Sequence, residues 1–345
     1  MTMTPRERVL SALKKESTDR PPVAMFTACA TAGMMRAADT YFPEAHSDAG
    51  KMARLGSSQA VNFGLESVRA GFCLTPEAEA LGCEVNIGTD KSGPMVKEHP
   101  FNFNPMKKEY DEPELLDIDK FLQSGRVKVT QDAMSIMKKE HGEDYVVIAG
   151  STGPFTLTGH LVNTENLIFS VFMDPDVAKK WISAVNPYCK AYGQALLDAG
   201  ADVLQMSEPS SSTDILSPND FPIYSGAYMK DSLGALNGDN RILHICGDTT
   251  EIIPAMFESG ASGISIEEKV EPHEAIKIVN GKGPVVGNVG CAFPLFSGTP
   301  EDVVKSTKAC VEAGFDVVAA GCGVPVGVPD ASIKAMVDTV KSYGK

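Results

Sequence analysis

Short apolar runs recur along the chain, each closing in small or polar residues and leading into a segment with helix-like spacing. The runs at 22–26, 67–72, 145–149, 202–206, 242–245, 263–266, 284–287 and 316–320 read as strands. Their near-continuous apolar content suits strands covered on both faces, as in a parallel sheet. Eight of them separated by helices predict an α/β fold, a (β/α)8 TIM barrel. Before the first run, Thr4-Pro5-Arg6-Glu7 has the form of a capped helix start, with Thr4 as cap, Pro5 at the first helical position and Glu7 completing a capping box. That helix runs to about residue 15 with Val9, Leu10 and Leu13 on one face, and residues 1–20 form an N-terminal helical extension. Residues 88–118 are polar and proline-bearing, an insertion or lid near the barrel mouth. No repeat, linker or low-complexity tract interrupts the pattern, so 1–345 is read as one barrel domain.

Composition narrows the function. A chain of 345 residues with 43% hydrophobic content has the length of two average domains or of one barrel, and the barrel is the simpler reading. Lys and Arg number 31 against 45 Asp and Glu, a net charge of −14 that repels nucleic acid and anionic membranes alike. With no apolar run of about 18 residues and no signal-type h-region, a cytoplasmic protein is expected. The eight cysteines are scattered (29, 73, 83, 189, 246, 291, 310, 322), which favours free or metal-bound thiols over a disulfide framework.

Barrel chemistry is built at the C-terminal strand ends, and those ends carry the rare groups: STGP (151–154), SEP (207–209), HICGD (244–248), EEK (267–269), NVG (288–290) and GCG (321–323). Residues two apart on a strand share a face. His244 and Cys246 therefore lie on one side, as do Ser265 and Glu267, and Cys322 at the end of the last strand can reach the same point. Two thiols, an imidazole and a carboxylate make a tetrahedral donor set suited to Zn²⁺. The competing reading is a buried strand with incidental side chains, and the residues alone leave both open. The other six cysteines read as small hydrophobes. Histidines 46, 99, 141, 160 and 273 read as solvated or capping, with His46 near the mouth. Glu268 reads as solvated beside Glu267; Asp248 either orients the imidazole or caps the next helix; Arg69 either binds an anion or pairs with Glu66.

The opening TPRERVLSALKKESTDRPPV, FPEAH (42–46), GLESVRAGFCLTPEAEALGCEVNIG (64–88), LDAGADVLQMSEP (197–209), LHICG, SIEEK (265–269), VVGNV (285–289) and EAGFDVVAAGCGVP (312–325) together resemble the uroporphyrinogen decarboxylase superfamily. Within it they are most similar to the corrinoid-dependent, methylcobamide:coenzyme M type of methyltransferase. The resemblance runs nearly end to end. It implies a (β/α)8 barrel with zinc held by His244, Cys246 and Cys322, and Glu267 as an exchangeable fourth ligand. Porphyrinogen decarboxylation is disfavoured, because MFTACATAGMMR (25–36) has one arginine and no aspartate where decarboxylases carry an arginine-rich loop and a catalytic aspartate.

The implied reaction moves a methyl group from a methyl-Co(III) corrinoid to a zinc-activated thiol, most simply coenzyme M, in methanogenic one-carbon metabolism. No D-x-H-x-x-G corrinoid motif is present, so the methylcobamide is expected on a separate protein docking at the barrel mouth. Arg69, Ser207 and Asn288, with the backbone of 150–153, are the candidates for holding the sulfonate end. The alternatives are tetrahydrofolate as acceptor, demethylation of a methylated substrate onto the corrinoid, and, more distantly, a decarboxylase-like or structural zinc- or porphyrin-binding barrel.

Overall fold

The computed structural model describes residues 2–344. The first element forms as its capping residues dictate: in the helix Pro5–Leu13, Thr4 accepts from the Glu7 amide while the Glu7 carboxylate takes the Thr4 amide. Seven strands follow: β1 (Ser67–Ala70), β2 (Val146–Thr152), β3 (Val203–Ser207), β4 (Arg241–Ile245), β5 (Gly263–Ile266), β6 (Val285–Val289) and β7 (Val317–Ala320). They pair in chain order, every neighbour parallel, in one sheet.

The eighth predicted strand, 22–26, closes the ring without becoming a regular strand. On one side Ala24 N donates to Val318 O at 3.1 Å, and on the other Glu66 N donates to Val23 O at 2.8 Å. Two of its other amides are taken by side chains, Val23 N by Glu66 Oε2 at 2.9 Å and Met25 N by Ser67 Oγ at 3.0 Å, and a single bridge to Val318 remains of a ladder.

Strand alternation sorts the side chains. Val146, Ile148, Val203, Ile242, Val286, Val317 and Ala319 form an interior cluster with Ala24, Phe26 and, from the N-terminal helix, Val9, Ala12 and Leu13. This helix therefore plugs the barrel base with apolar side chains. Charged groups lock the plug in place. Asp202, just before β3, binds the Arg6 guanidinium at 2.8 Å, Lys138 at 2.7 Å and the Val147 amide at 3.0 Å. Glu66, just before β1, meets Arg8 and, at 3.0 Å, Arg20.

The stretch 88–118 contributes to two small antiparallel pairs, Glu84–Asn86 with Met95–Glu98 and Phe103–Asn104 with Glu109–Tyr110. Phe101 and Phe103 pack edge-on against Trp181 of the helix Pro175–Asp198, at ring separations of 4.8 and 6.0 Å. The Tyr110 hydroxyl donates to Asp174 and the Tyr188 hydroxyl to the Leu116 carbonyl. Lys91 and Gly93 reach a cavity wall shared with Phe42, Phe72 and residues 324–326. Among the described residues no helix is long and apolar enough to cross a membrane.

Candidate active site

Above the apolar plug, the same inward-facing positions turn polar. Gln205 follows Val203 on β3, and His244 and Cys246 follow Ile242 on and after β4. Here the barrel opens into a cavity of about 150 Å³ whose walls include Arg69, Cys73, Gly150, Ser207, His244, Cys246 and Cys322.

His244, Cys246 and Cys322 each offer a donor atom, and the three atoms lie within 4.8 Å of one another. Tetrahedral zinc with bonds of about 2.3 Å needs sulfur donors roughly 3.8 Å apart, so a small adjustment suffices for the three to share an ion. His244 is already oriented for that task. Its Nδ1 lies 3.0 Å from Ser265 Oγ, and with Nδ1–H donating there the Nε2 lone pair stays free. Cys322 is held through its backbone: its carbonyl accepts from Thr27 Oγ1 at 2.6 Å and from the Cys291 thiol at 3.1 Å, while its amide donates back to Cys291 Sγ at 3.3 Å. The two cysteines interact directly. The bond from Cys246, together with His244, lowers the Cys322 pKa, whereas the same bond and burial raise that of Cys246.

Glu267 does not join the three donors. Its carboxylate accepts from the Gly247 amide in the loop after β4, immediately beside Cys246. Glu268, expected to be solvated, instead turns inward, and its Oε2 is buried without a hydrogen-bond partner among the described residues. A Cβ at Gly321 would lie 2.7 Å from that oxygen, which accounts for the glycine preceding Cys322. Burial raises the Glu268 pKa. Asp248 takes neither expected role: its carboxylate accepts from Thr250 N at 3.0 Å in the turn after β4, and the next helix, Ile253–Glu258, starts from Ile252 without a side-chain cap.

Across the cavity Arg69 is 3% exposed. The ion pair with Glu66 does not form, because Glu66 serves Arg8 and Arg20 at the base. The guanidinium donates to Phe26 O at 2.9 Å, to Gly71 O, and to Gln205 Oε1 at 3.1 Å. It packs against Gly150, where a Cβ would come within 2.1 Å of Nη2. Burial lowers its pKa to about 10, which leaves it cationic at neutral pH. Ser207 lines the same wall and accepts from Gln205 Nε2 at 2.6 Å.

Asn288 does not reach the cavity. Its amide donates to Glu267 O at 3.2 Å and Val270 O at 2.8 Å, and its oxygen accepts from Cys310. Gly287 precedes it with φ +139°, a conformation that breaks the alternate-face rule at this point. His46 is likewise structural, 1% exposed and stacked on Phe42 at 4.0 Å, and burial lowers its pKa to about 3. Sequence reasoning passed over Gln205, gave Ser265 no role toward His244, and read Cys291 as a small hydrophobe rather than a partner of the Cys322 backbone. For Gln205 a signal existed: it is a polar residue in a buried strand, two positions before Ser207.

The profile of the uroporphyrinogen decarboxylase (URO-D) family matches residues 4–343. A methylcobamide:CoM methyltransferase, MtbA, of Methanosarcina acetivorans is 32% identical over 342 residues, 99% of this chain and 98% of that protein. The methylcobamide:CoM methyltransferase MtaA of Methanosarcina barkeri is 30% identical over 341 residues, again 99% and 98% of the two chains. A solved structure described as a methyltransferase from Methanosarcina mazei superposes with a TM-score of 0.91 at 30% identity, covering 99% of both chains.

Proposed function

The chain belongs to the uroporphyrinogen decarboxylase family, and from that premise we propose that it is a methyltransferase moving a methyl group from a corrinoid on a partner protein to the thiol of coenzyme M. The observation that carries this reading is a division within one cavity: three soft donors converge within 4.8 Å on one wall, and a buried cation with no carboxylate partner occupies the other. The names of the methyltransferase relatives support the same reaction class.

His244, Cys246 and Cys322 would hold zinc, with Ser265 fixing the imidazole tautomer. Glu267 stands close behind as the exchangeable fourth donor. Zinc would supply what a free thiol of pKa about 8.5 lacks at neutral pH, a substantial thiolate population. Arg69 and the Ser207 hydroxyl take the sulfonate end of the acceptor and thereby aim its sulfur at the donor cluster. Asn288 plays no part in this scheme.

A cavity of about 150 Å³ admits a short thiol but not a corrin macrocycle. That size supports presentation of the methyl group from the mouth, by a corrinoid protein docked there. In the transfer the cobalt–carbon bond breaks with its electron pair remaining on cobalt, a sulfur–carbon bond forms, and the thiol proton is released. The test is to mix purified protein with methylcobalamin and either coenzyme M or tetrahydrofolate and follow cobalamin demethylation by its visible spectrum. Demethylation with coenzyme M that is lost in Cys322→Ala is the expected result. Transfer to tetrahydrofolate alone, indifferent to zinc removal, would overturn the reading.

A further inference from the structure

Gln205 sits fully buried on the inward face of β3, two residues before Ser207. One side of its amide accepts from Arg69 Nη2 at 3.1 Å, and the other donates to Ser207 Oγ at 2.6 Å. Ser207 thus accepts one hydrogen bond from the amide, and its hydroxyl hydrogen is free to turn into the cavity. The other acceptors around the guanidinium are the Phe26 and Gly71 carbonyls, both neutral. Among the ionisable neighbours, Cys29 is pushed up to about 12 by burial and Tyr192 well above its ordinary value, so neither supplies a negative charge at neutral pH.

A glutamate would occupy nearly the same volume as Gln205 and would form an ion pair with Arg69. The chain carries the amide instead. Burying a guanidinium among neutral acceptors is costly, and that cost is offset when a ligand brings the anion.

We infer that Gln205 is a specificity-determining residue: it holds Arg69 and Ser207 as a two-pronged anion receptor while withholding the negative charge that would cancel it, so the cavity selects thiols with an anionic head over neutral thiols. This inference rests on the proposed methyl acceptor site and names the class of acceptor it takes. Replacing Gln205 by glutamate neutralises the receptor. Replacing it by methionine loosens Arg69 and Ser207 but leaves the positive charge in place.

The test uses ethanesulfonate, which has the anionic head but no thiol, and ethyl methyl sulfone as its uncharged counterpart. Calorimetric titration of metal-free wild-type protein should show ethanesulfonate binding at least about 10-fold more tightly than the sulfone, the scale of a charged hydrogen bond. Gln205→Glu should weaken ethanesulfonate binding by about 10- to 100-fold, and Gln205→Met by less. In turnover, the ratio of kcat/KM for 2-mercaptoethanesulfonate to that for 2-mercaptoethanol should fall by the same factor in Gln205→Glu. Equal wild-type affinity for the sulfonate and the sulfone would overturn the inference even if no variant folds. Undiminished ethanesulfonate binding by folded Gln205→Glu would do the same. Because ethanesulfonate binding involves no thiol, metal or corrinoid, it can fail while methyl transfer stands, or persist where methyl transfer is absent.

Discussion

The two ends of the barrel treat charge in opposite ways. At the base, Asp202 is met by Arg6, Lys138 and a backbone amide, and Glu66 by Arg8, Arg20 and another amide. At the mouth, Arg69 is satisfied by neutral acceptors alone, a Glu268 oxygen has no partner among the described residues, and two thiols face an imidazole. Paired charges at the base tie the plug helix to the strands and serve stability. Uncompensated groups at the mouth lower stability and are poised for ligands, the division expected of this fold.

Substitutions at the two ends should separate these roles. The largest effect belongs to Cys322→Ala, which should reduce bound zinc from about one per chain to near zero by metal analysis and slow methyl transfer at least about 1000-fold. The unfolding free energy of the metal-free protein should change by less than about 1 kcal/mol. Glu66→Ala does the reverse. It leaves the buried Arg8 with Asp19 as its one carboxylate and the part-buried Arg20 without its carboxylate, and should cost about 3 kcal/mol in urea denaturation, with activity per folded molecule retained. A loss of activity without a loss of stability in that variant would break the comparison. Next comes Arg69→Met, expected to raise the KM for coenzyme M by about 10- to 100-fold while leaving stability unchanged or improved. Ser265→Ala should weaken zinc by about 10-fold in chelator competition, because the imidazole loses its orienting acceptor.

The smallest effect is a pH dependence that separates the buried histidines from the paired carboxylate at the base. His46 and His160 have folded pKa values lowered by burial to about 3 and about 4, below an unfolded value near 6.5. As the pH falls below about 6.5 the unfolded chain takes up protons that the folded chain refuses, so stability declines by about 1 kcal/mol per histidine per pH unit. His46→Phe should flatten part of that slope between pH 6.5 and 5. Asp202 at the base has a pKa lowered through its bonds to Arg6 and Lys138, against the effect of burial. Its contribution is present above the unfolded value near 4 and is lost only as the pH falls below it. Denaturation midpoints measured across pH would resolve the two regimes.

Much of this architecture is legible in the residues. The capping box at Thr4 and Glu7, seven strands, and the His244–Cys246–Cys322 cluster follow from local chemistry and strand parity. Segment 22–26 departs from a strand because side chains of Glu66 and Ser67, distant in sequence, take its amides. Asn288 stands at a strand end, as expected, but position at a strand end does not fix direction: after Gly287 its side chain bonds the Glu267 and Val270 carbonyls instead of reaching the cavity. Cys291 and Glu268 gain their positions beside Cys322 only when loops from different strands meet. Ser265 was correctly placed on the Glu267 side of β5, but its service to His244 depends on the register of β4 against β5, where His244 and Ser265 are direct neighbours.

The apolar plug under the cavity closes the base and leaves the mouth as the doorway to the proposed site. On the proposed reaction, a small reactant and a bulky carrier must share that doorway in sequence. The free thiol enters before the carrier arrives, and the finished thioether is corked in place until the carrier leaves. Turnover would then be paced by the exchange of carriers, and excess demethylated carrier would trap product behind it.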